Sequence, residues 1–237
     1  MRKLILRITL PLLLLLAFSQ GAYAQDETPE FKMPCERVLK LGLDKFTEAY
    51  GEKTQDFSTA GQKQGFEYYV NCKRPANDAL AARTLSEAKR KQIDSARESF
   101  NKFGTALWGL KYLEEGGGTM WGLISVGAYA TREDFMETLI RALAARDRRS
   151  PRARQKVNTS LARIQRWLSS RARKPFTEGS EPDEIAERKK EYQETMKDVQ
   201  DALSQLRGIL RALPDAAAGR LAAEMASATK NALVDSQ

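Results

Sequence analysis

Residues 84–115 read TLSEAKRKQIDSARESFNKFGTALWGLKYLEE, and this stretch decides the fold class. Its apolar residues Ile93, Ala96, Phe100, Phe103, Leu107 and Leu110 alternate spacings of three and four. A strand lines up every second residue, whereas a helix aligns positions three and four apart. The stretch therefore predicts one long amphipathic helix with a single stripe facing a core. Thr84 or Ser86 can cap its start, and Gly116, Gly117 and Gly118 form a glycine turn at its end.

The same rhythm recurs outward in both directions. Val38, Leu41, Leu43 and Phe46 suit a short helix after Cys35. A second segment covers about 59–72 and breaks at Arg74-Pro75-Ala76-Asn77-Asp78, where the proline interrupts it. After the glycines, Met120, Leu123, Ile124 and Ala128 suggest a short buried helix. Thr131-Arg132-Glu133-Asp134 resembles a capping box that would start another, carrying Phe135, Leu139 and Leu143. Beyond Asp147-Arg148-Arg149-Ser150-Pro151, Val157, Leu161, Ile164 and Leu168 alternate by four and three. Ile185, Tyr192, Met196, Val199, Leu203, Leu206 and Leu210 keep a heptad-like rhythm. The short connector between these two helices predicts an antiparallel hairpin, and Leu221, Met225 and Leu233 mark a last helix that could close a three-helix bundle. No segment has period-two alternation. The expected fold is all-α, a disulfide-stapled helical domain over 35–146 and a helical hairpin or bundle over 147–237.

The chain opens with Arg2, Lys3 and Arg7, an apolar run from Leu10 to Phe18, and Ala22-Tyr23-Ala24. This is the pattern of an export signal over 1–24, cleaved before Gln25, with a tail over 25–34. No later run is long and apolar enough to predict a membrane span. Export places the two cysteines, Cys35 and Cys72, in an oxidising compartment, where they should pair.

Charge is segregated. From Arg141 to Lys174 there are twelve basic residues and one acidic residue, Asp147; from Glu178 to Asp201 there are nine acidic residues against four basic ones. In a hairpin the two blocks would neutralise each other along the helix rims. The alternative is that the arginines, among them Arg148, Arg149, Arg152, Arg154, Lys156, Arg171 and Arg173, face an anionic partner. Helical spacing sets Arg152, Arg166 and Arg173 on one outward line, and sets Arg163 and Arg171 beside the apolar seam, where they are better placed to pair with the acidic partner helix.

The chain has no histidine, which excludes His-dependent triads, Cys–His dyads and the usual zinc sites. No G-x-S-x-G elbow, P-loop or G-x-G-x-x-G is present. No catalytic, cofactor-binding or metal-ligating residue is predicted. Glu98-Ser99-Phe100-Asn101 has the superficial form of a lytic-transglycosylase glutamate motif, but Glu98 falls in mid-helix on the polar side and the G-L-M-Q signature is missing. An exposed, salt-bridging glutamate is the simpler reading.

Residues 96–108, with Phe100 and Phe103 as the two aromatics, are followed by Gly117-Gly118-Thr119-Met120 and a further helix. Together they resemble the lysozyme-inhibitor LprI-like family of small exported bacterial proteins, over roughly residues 35–145. Gly104-Thr105 stand where that family has Arg-Asp, and Trp108 and Ala128 stand where it has two cysteines. The resemblance implies an exported, non-enzymatic helical binding protein of the cell envelope, of the lysozyme-inhibitor type, whose glycine turn is framework. The residues themselves support a second expectation, an envelope adaptor holding an anionic polymer or lipid head group on its Arg-rich helix; peptidoglycan cleavage by Glu98 ranks third. The partner is a protein or an anionic envelope component, and export argues against a physiological nucleic-acid role.

Overall fold

The computed structural model describes residues 31–115, 120–145, 150–171 and 182–233. The expected leader, the glycine turn at 116–118 and Arg173 lie outside them. Among the described residues the chain forms eight helices and no strand: α1 (Cys35–Leu41), α2 (Leu43–Thr54), α3 (Thr59–Thr84), α4 (Glu87–Glu115), α5 (Met120–Ala144), α6 (Pro151–Arg171), α7 (Pro182–Ala212) and α8 (Asp215–Leu233). The all-α expectation holds, and Cys35 is bonded to Cys72.

The stripe on α4 behaves as its spacing requires: Ile93, Ala96, Phe100, Phe103, Leu107 and Leu110 are all at most 1 % exposed. Two helices of nearly equal length flank it. α5 runs antiparallel to α4, with Lys89 Nζ donating to the Leu143 carbonyl at 2.6 Å and Arg132 Nε to Asn101 Oδ1 at 2.9 Å. α7 also runs antiparallel, with Tyr192 Oη donating to Glu114 Oε1 at 2.9 Å near one end and Gln92 reaching the Ala212 carbonyl at the other. Its heptad residues Met196, Val199, Leu203, Leu206 and Leu210 enter the same core as the α4 stripe.

Three local expectations are corrected. The break at residues 74–78 does not occur, because α3 continues through Pro75 to Thr84. Proline removes the hydrogen bond to the carbonyl four residues back, that of Asn71; both Asn71 and Pro75 are exposed, so water can serve the freed carbonyl. The capping box at Thr131 is absent, because α5 is continuous and Thr131 bonds back to the Gly127 carbonyl. The helix after Cys35 is split by Gly42, whose φ of 76° is one that side chains avoid, into α1 and α2.

The hairpin expectation is corrected too. α6 lies along α8 and α7 along α4; α6 and α7 are not paired along their lengths. The core residues of α7 match α4 over nearly its whole length, while the shorter α6 finds a small-residue face, Ala217, Ala218 and Ala222, on α8, where Ala153 lies against Gly219. α6 and α8 are parallel. At one end Arg154 pairs with Asp215 and donates to the Leu210 and Leu213 carbonyls at 3.0 and 3.1 Å, closing the α7–α8 corner. At the other, Arg171 bonds the Leu233 carbonyl and Glu114. The packing thus crosses the boundary expected at 147, since one apolar core joins Ala81 through Leu143 to Val157 through Leu233.

A second, smaller core lies under the disulfide: Met33, Val38, Phe46, Tyr50, Tyr69, Val70, Cys72 and Ala130. Along α3 and α5 the two cores are separated by a polar layer. Lys73 and Asn77 on α3, and Arg132 and Glu133 on α5, fall between residues of the small core and residues of the large one, and all four are buried.

Candidate functional site

Among the described residues, the buried layer holds most of the enclosed charge. Glu133 is fully buried, and Arg97 on α4 is 7 % exposed. Arg97 Nε stands 3.3 Å from Glu133 Oε1, and Nη1 stands 2.9 Å from Asp78 Oδ1. The Arg97–Glu133 approach has the distance of an ion pair without the alignment of a hydrogen bond, and both Glu133 oxygens are unbonded among the described residues. Burial pushes the Glu133 carboxyl up, and the attraction of Arg97 only partly opposes it. Arg132 crosses α4 at Gly104, where a Cβ would stand 2.5 Å from its guanidinium, so the glycine makes room for a buried cation. Burial lowers the Arg132 guanidinium to about 10, which leaves it charged at neutral pH. Beside it, Lys73 bonds Glu137 at 2.8 Å and pairs with Asp134 at 3.0 Å, and Asp134 also accepts from Tyr69 at 2.6 Å.

Above Arg97 a cleft of about 850 Å³ opens between α4 and α7. Asp94, Glu98, Asn101 and Lys102 line one wall, and Asp198, Asp201 and Gln205 line the other. Glu98 is exposed and sits 2.8 Å from Lys102, whose hydrogen bond holds its carboxyl below the usual range. A glycosidic general acid needs the opposite, a carboxyl kept protonated near neutral pH. A smaller cavity of about 420 Å³ lies between Phe66, Trp108, Leu123 and Ile124, with Glu224 at its edge.

The outer surfaces of α6 and α7 carry the segregated charge. On α6, Val157, Ile164 and Leu168 are buried while Arg152, Lys156, Arg163 and Arg166 are exposed. At 100° per residue these four cations fall within an arc of roughly 80° opposite the buried side. No ion pair engages any of them among the described residues. On α7, Asp183, Glu187, Glu191, Glu194, Asp198 and Asp201 are all exposed and fall on one line by the same geometry. Lys190 comes within 4.0 Å of Glu194, and no other ion pair engages this line among the described residues.

Of the residues picked from sequence, Arg152 and Arg166 do share the outward line. Arg163, expected beside the seam, joins them, as does Lys156, which was named among the partner-facing cations but not set on this line; counting 100° steps from Val157 and Ile164 would have placed both. Arg154 and Arg171 are structural ties. Arg171 was expected to meet the acidic helix and instead meets Glu114 at the end of α4, at 2.7 Å. Among the described residues no group of three or more His, Cys, Asp and Glu side chains could hold a metal, and no helix is long and apolar enough to cross a membrane. Compared with known proteins, the chain matches no family model, no curated protein and no solved structure.

Proposed function

We propose that this chain is an exported, non-enzymatic binding protein of the bacterial cell envelope that holds an anionic polymer along the outer face of α6. The supporting observation is the line Arg152, Lys156, Arg163 and Arg166, exposed and without acidic counter-charges among the described residues. Its span of fourteen residues is about 21 Å, a run suited to a linear chain of phosphates or carboxylates. The neighbours of these cations on the same face are Thr159 and Ser170, both exposed and polar. An interfacial membrane helix needs an apolar face to bury among acyl chains, and the apolar face of α6 is spent on the core. A polymer is therefore favoured over a lipid surface.

A lysozyme-inhibitor role needs an acidic surface, because lysozymes are commonly cationic. The line on α7 has that charge, but it lies outside residues 35–145, which carry the family resemblance. The polymer reading is tested by titrating the mature protein with a phosphate-bearing polymer at several salt concentrations. Each cation near an anionic surface contributes about 1 kcal/mol. Changing Arg152, Lys156, Arg163 and Arg166 to Gln should weaken binding by roughly two to three orders of magnitude and flatten its salt dependence. Unchanged binding would reject this reading, and tighter salt-sensitive binding to anionic vesicles would move it to lipid.

A further inference from the structure

We propose that the acidic line on α7 is a docking surface for a second copy of this chain, whose α6 cations lie along it. The two blocks were expected to neutralise each other within one hairpin. The fold prevents that: α6 is committed to α8, and α7 to α4. Each molecule is left with one cationic rod and one anionic rod on separate helices. The cations of α6 span about 21 Å and the carboxylates from Asp183 to Asp201 about 27 Å. Both sets are single lines on one helix each, similar in length and opposite in sign.

The cleft between α4 and α7 adds a socket to this line. Its α7 wall carries Asp198 and Asp201, the last two carboxylates of the row. The cations in the cleft are already engaged: Lys102 with Glu98 at 2.8 Å, Arg97 with Asp78 and Glu133. Arg74 is turned to the Tyr129 hydroxyl at 3.3 Å. Asp198 and Asp201 meet no ion-pair partner among the described residues, so an arginine entering from outside finds two acceptors beside a wall of α4. Arginine suits such a place, since its planar fork can bond two carboxylate oxygens at once.

The contact is heterologous, α6 of one copy against α7 of the next. Each copy joined at one end keeps a free surface at the other, so assembly runs past a dimer, into a ring or an open chain. The interface is narrow and polar, and its attraction acts over about 8 Å at physiological salt, so assembly is weak and salt-sensitive. The inference shares the α6 line with the polymer reading, and polymer and second copy therefore compete for it.

The test is sedimentation of the mature chain over a range of concentrations, at low salt and at about 0.5 M salt. At low salt the average mass should climb past that of a dimer; at high salt it should be that of a monomer. One variant carries Arg152→Gln, Lys156→Gln, Arg163→Gln and Arg166→Gln; a second carries Glu191→Gln, Glu194→Gln, Asp198→Asn and Asp201→Asn. Every altered side chain is exposed, and circular dichroism checks that both variants keep their helices. Each variant alone should associate at least tenfold more weakly than the parent. Mixed, they retain one intact α6 line and one intact α7 line, and should form a one-to-one pair that grows no further. A parent that is monomeric at low salt, variants that assemble like the parent, or a mixture that stays monomeric would each overturn the proposal. So would a parent that binds lysozyme through α7 while its own copies remain apart. The two readings can fail separately. If the first variant loses polymer binding while the parent never self-associates, only the docking inference falls. If the parent assembles while the first variant still binds polymer, only the polymer reading falls.

Discussion

The two cores of this molecule are made by different means. The large core takes its residues from α3 to α8 and is filled mostly by Leu, Ile, Met and Ala on helical stripes, with Phe100 and Phe103 at its middle. The small core has one disulfide and a cluster of rings: Phe31, Phe46, Tyr50 and Tyr68 meet with centroids 4.5 to 6.4 Å apart, and Tyr69 stands 6.1 Å from Phe46. Extended stripes bury enough apolar surface to hold long helices together by area alone. The seven-residue α1 and twelve-residue α2 cannot do so, and the Cys35–Cys72 bond supplies what their area lacks. The buried layer of Lys73, Asn77, Arg97, Arg132 and Glu133 stands where the two kinds of packing meet.

The sharpest way to break this contrast is to remove one ring from the large core. Phe100 is fully buried, and its ring stands edge-on to Phe135 at 6.1 Å. Phe100→Ala should cost about 3–5 kcal/mol, read as a single cooperative loss in denaturant unfolding. Leu203→Ala, at a site 3 % exposed, should cost roughly 2–5 kcal/mol. Leu161 was expected to be equally deep, but it is half-buried, so Leu161→Ala should cost clearly less.

Removing the bridge tests the other side. Replacing both Cys35 and Cys72 by Ser opens a loop with a sequence separation of 37 and should cost roughly 2–5 kcal/mol. The loss should be local. Amide exchange should quicken in α1 and α2 while α4 and α7 keep their protection. Equal quickening everywhere would mean that the two cores act as one cooperative unit.

How much of this was legible in sequence follows the same division. The large core was readable because periodicity is a local signal: each stripe declares its buried side before any partner is known. Every stripe residue on α4, and those of α7 from Met196 to Leu210, is buried as spaced. Partner choice was not readable, since a stripe does not say which other stripe it meets, and connector length misled. The continuity of α3 through Pro75 rests on tertiary contacts around it, including Asn77 Nδ2 to the Glu133 carbonyl at 2.8 Å. The candidate surface was half legible. Arg152 and Arg166 follow from helical geometry, but Arg154 and Arg171 carry the same charge on the same helix and are distinguished only by where Asp215 and Glu114 stand. The buried layer gave no signal, because Arg97 lies off the apolar stripe and Glu133 was read into a capping box.

The layer between the cores is the place for a pH test. The Glu133 carboxyl is raised by burial, so the folded state takes up its proton before the unfolded chain does. This group's contribution therefore grows more favourable as pH falls from neutral, and is complete below the unfolded glutamate value of about 4.3. Glu137 has the opposite sign. Its hydrogen bonds from Lys73 and Arg141 lower its carboxyl, so its contribution is present above the unfolded value and lost as pH falls through the folded one. Glu133→Gln should thus raise stability at neutral pH, with the gain vanishing in acid. Glu137→Gln should lower it at neutral pH, with the loss vanishing in acid. Chemical denaturation at a series of pH values checks both, and matching signs would mean that the layer is not divided in this way.

The smallest effect is expected on α6, where one helix serves both the large core and the solvent. Arg152→Gln and Arg166→Gln remove exposed charges with no ion pair among the described residues, and each should change stability by no more than about 0.5 kcal/mol. Arg154 and Arg171 differ only in the company they keep. Arg154 holds Asp215 and two carbonyls at the α7–α8 corner, and Arg171 holds Glu114 and the end of α8. Arg171 and Glu114 are also largely shielded from water, so removing the cation leaves a carboxylate poorly solvated, with only the Tyr192 hydroxyl still donating to it among the described residues. Arg171→Gln should lower the thermal midpoint by an amount corresponding to about 1–3 kcal/mol, for a hydrogen-bonded charge lost from a shielded site. Arg154→Gln should lower it less, by about 0.5–1.5 kcal/mol, because the Arg154 side chain is 41 % exposed and solvent screens its pair. If all four substitutions prove equally mild, the corners of the large core are held by apolar packing alone. If Arg152→Gln is as costly as Arg171→Gln, the outward line is structural, and its assignment as a binding face fails with it.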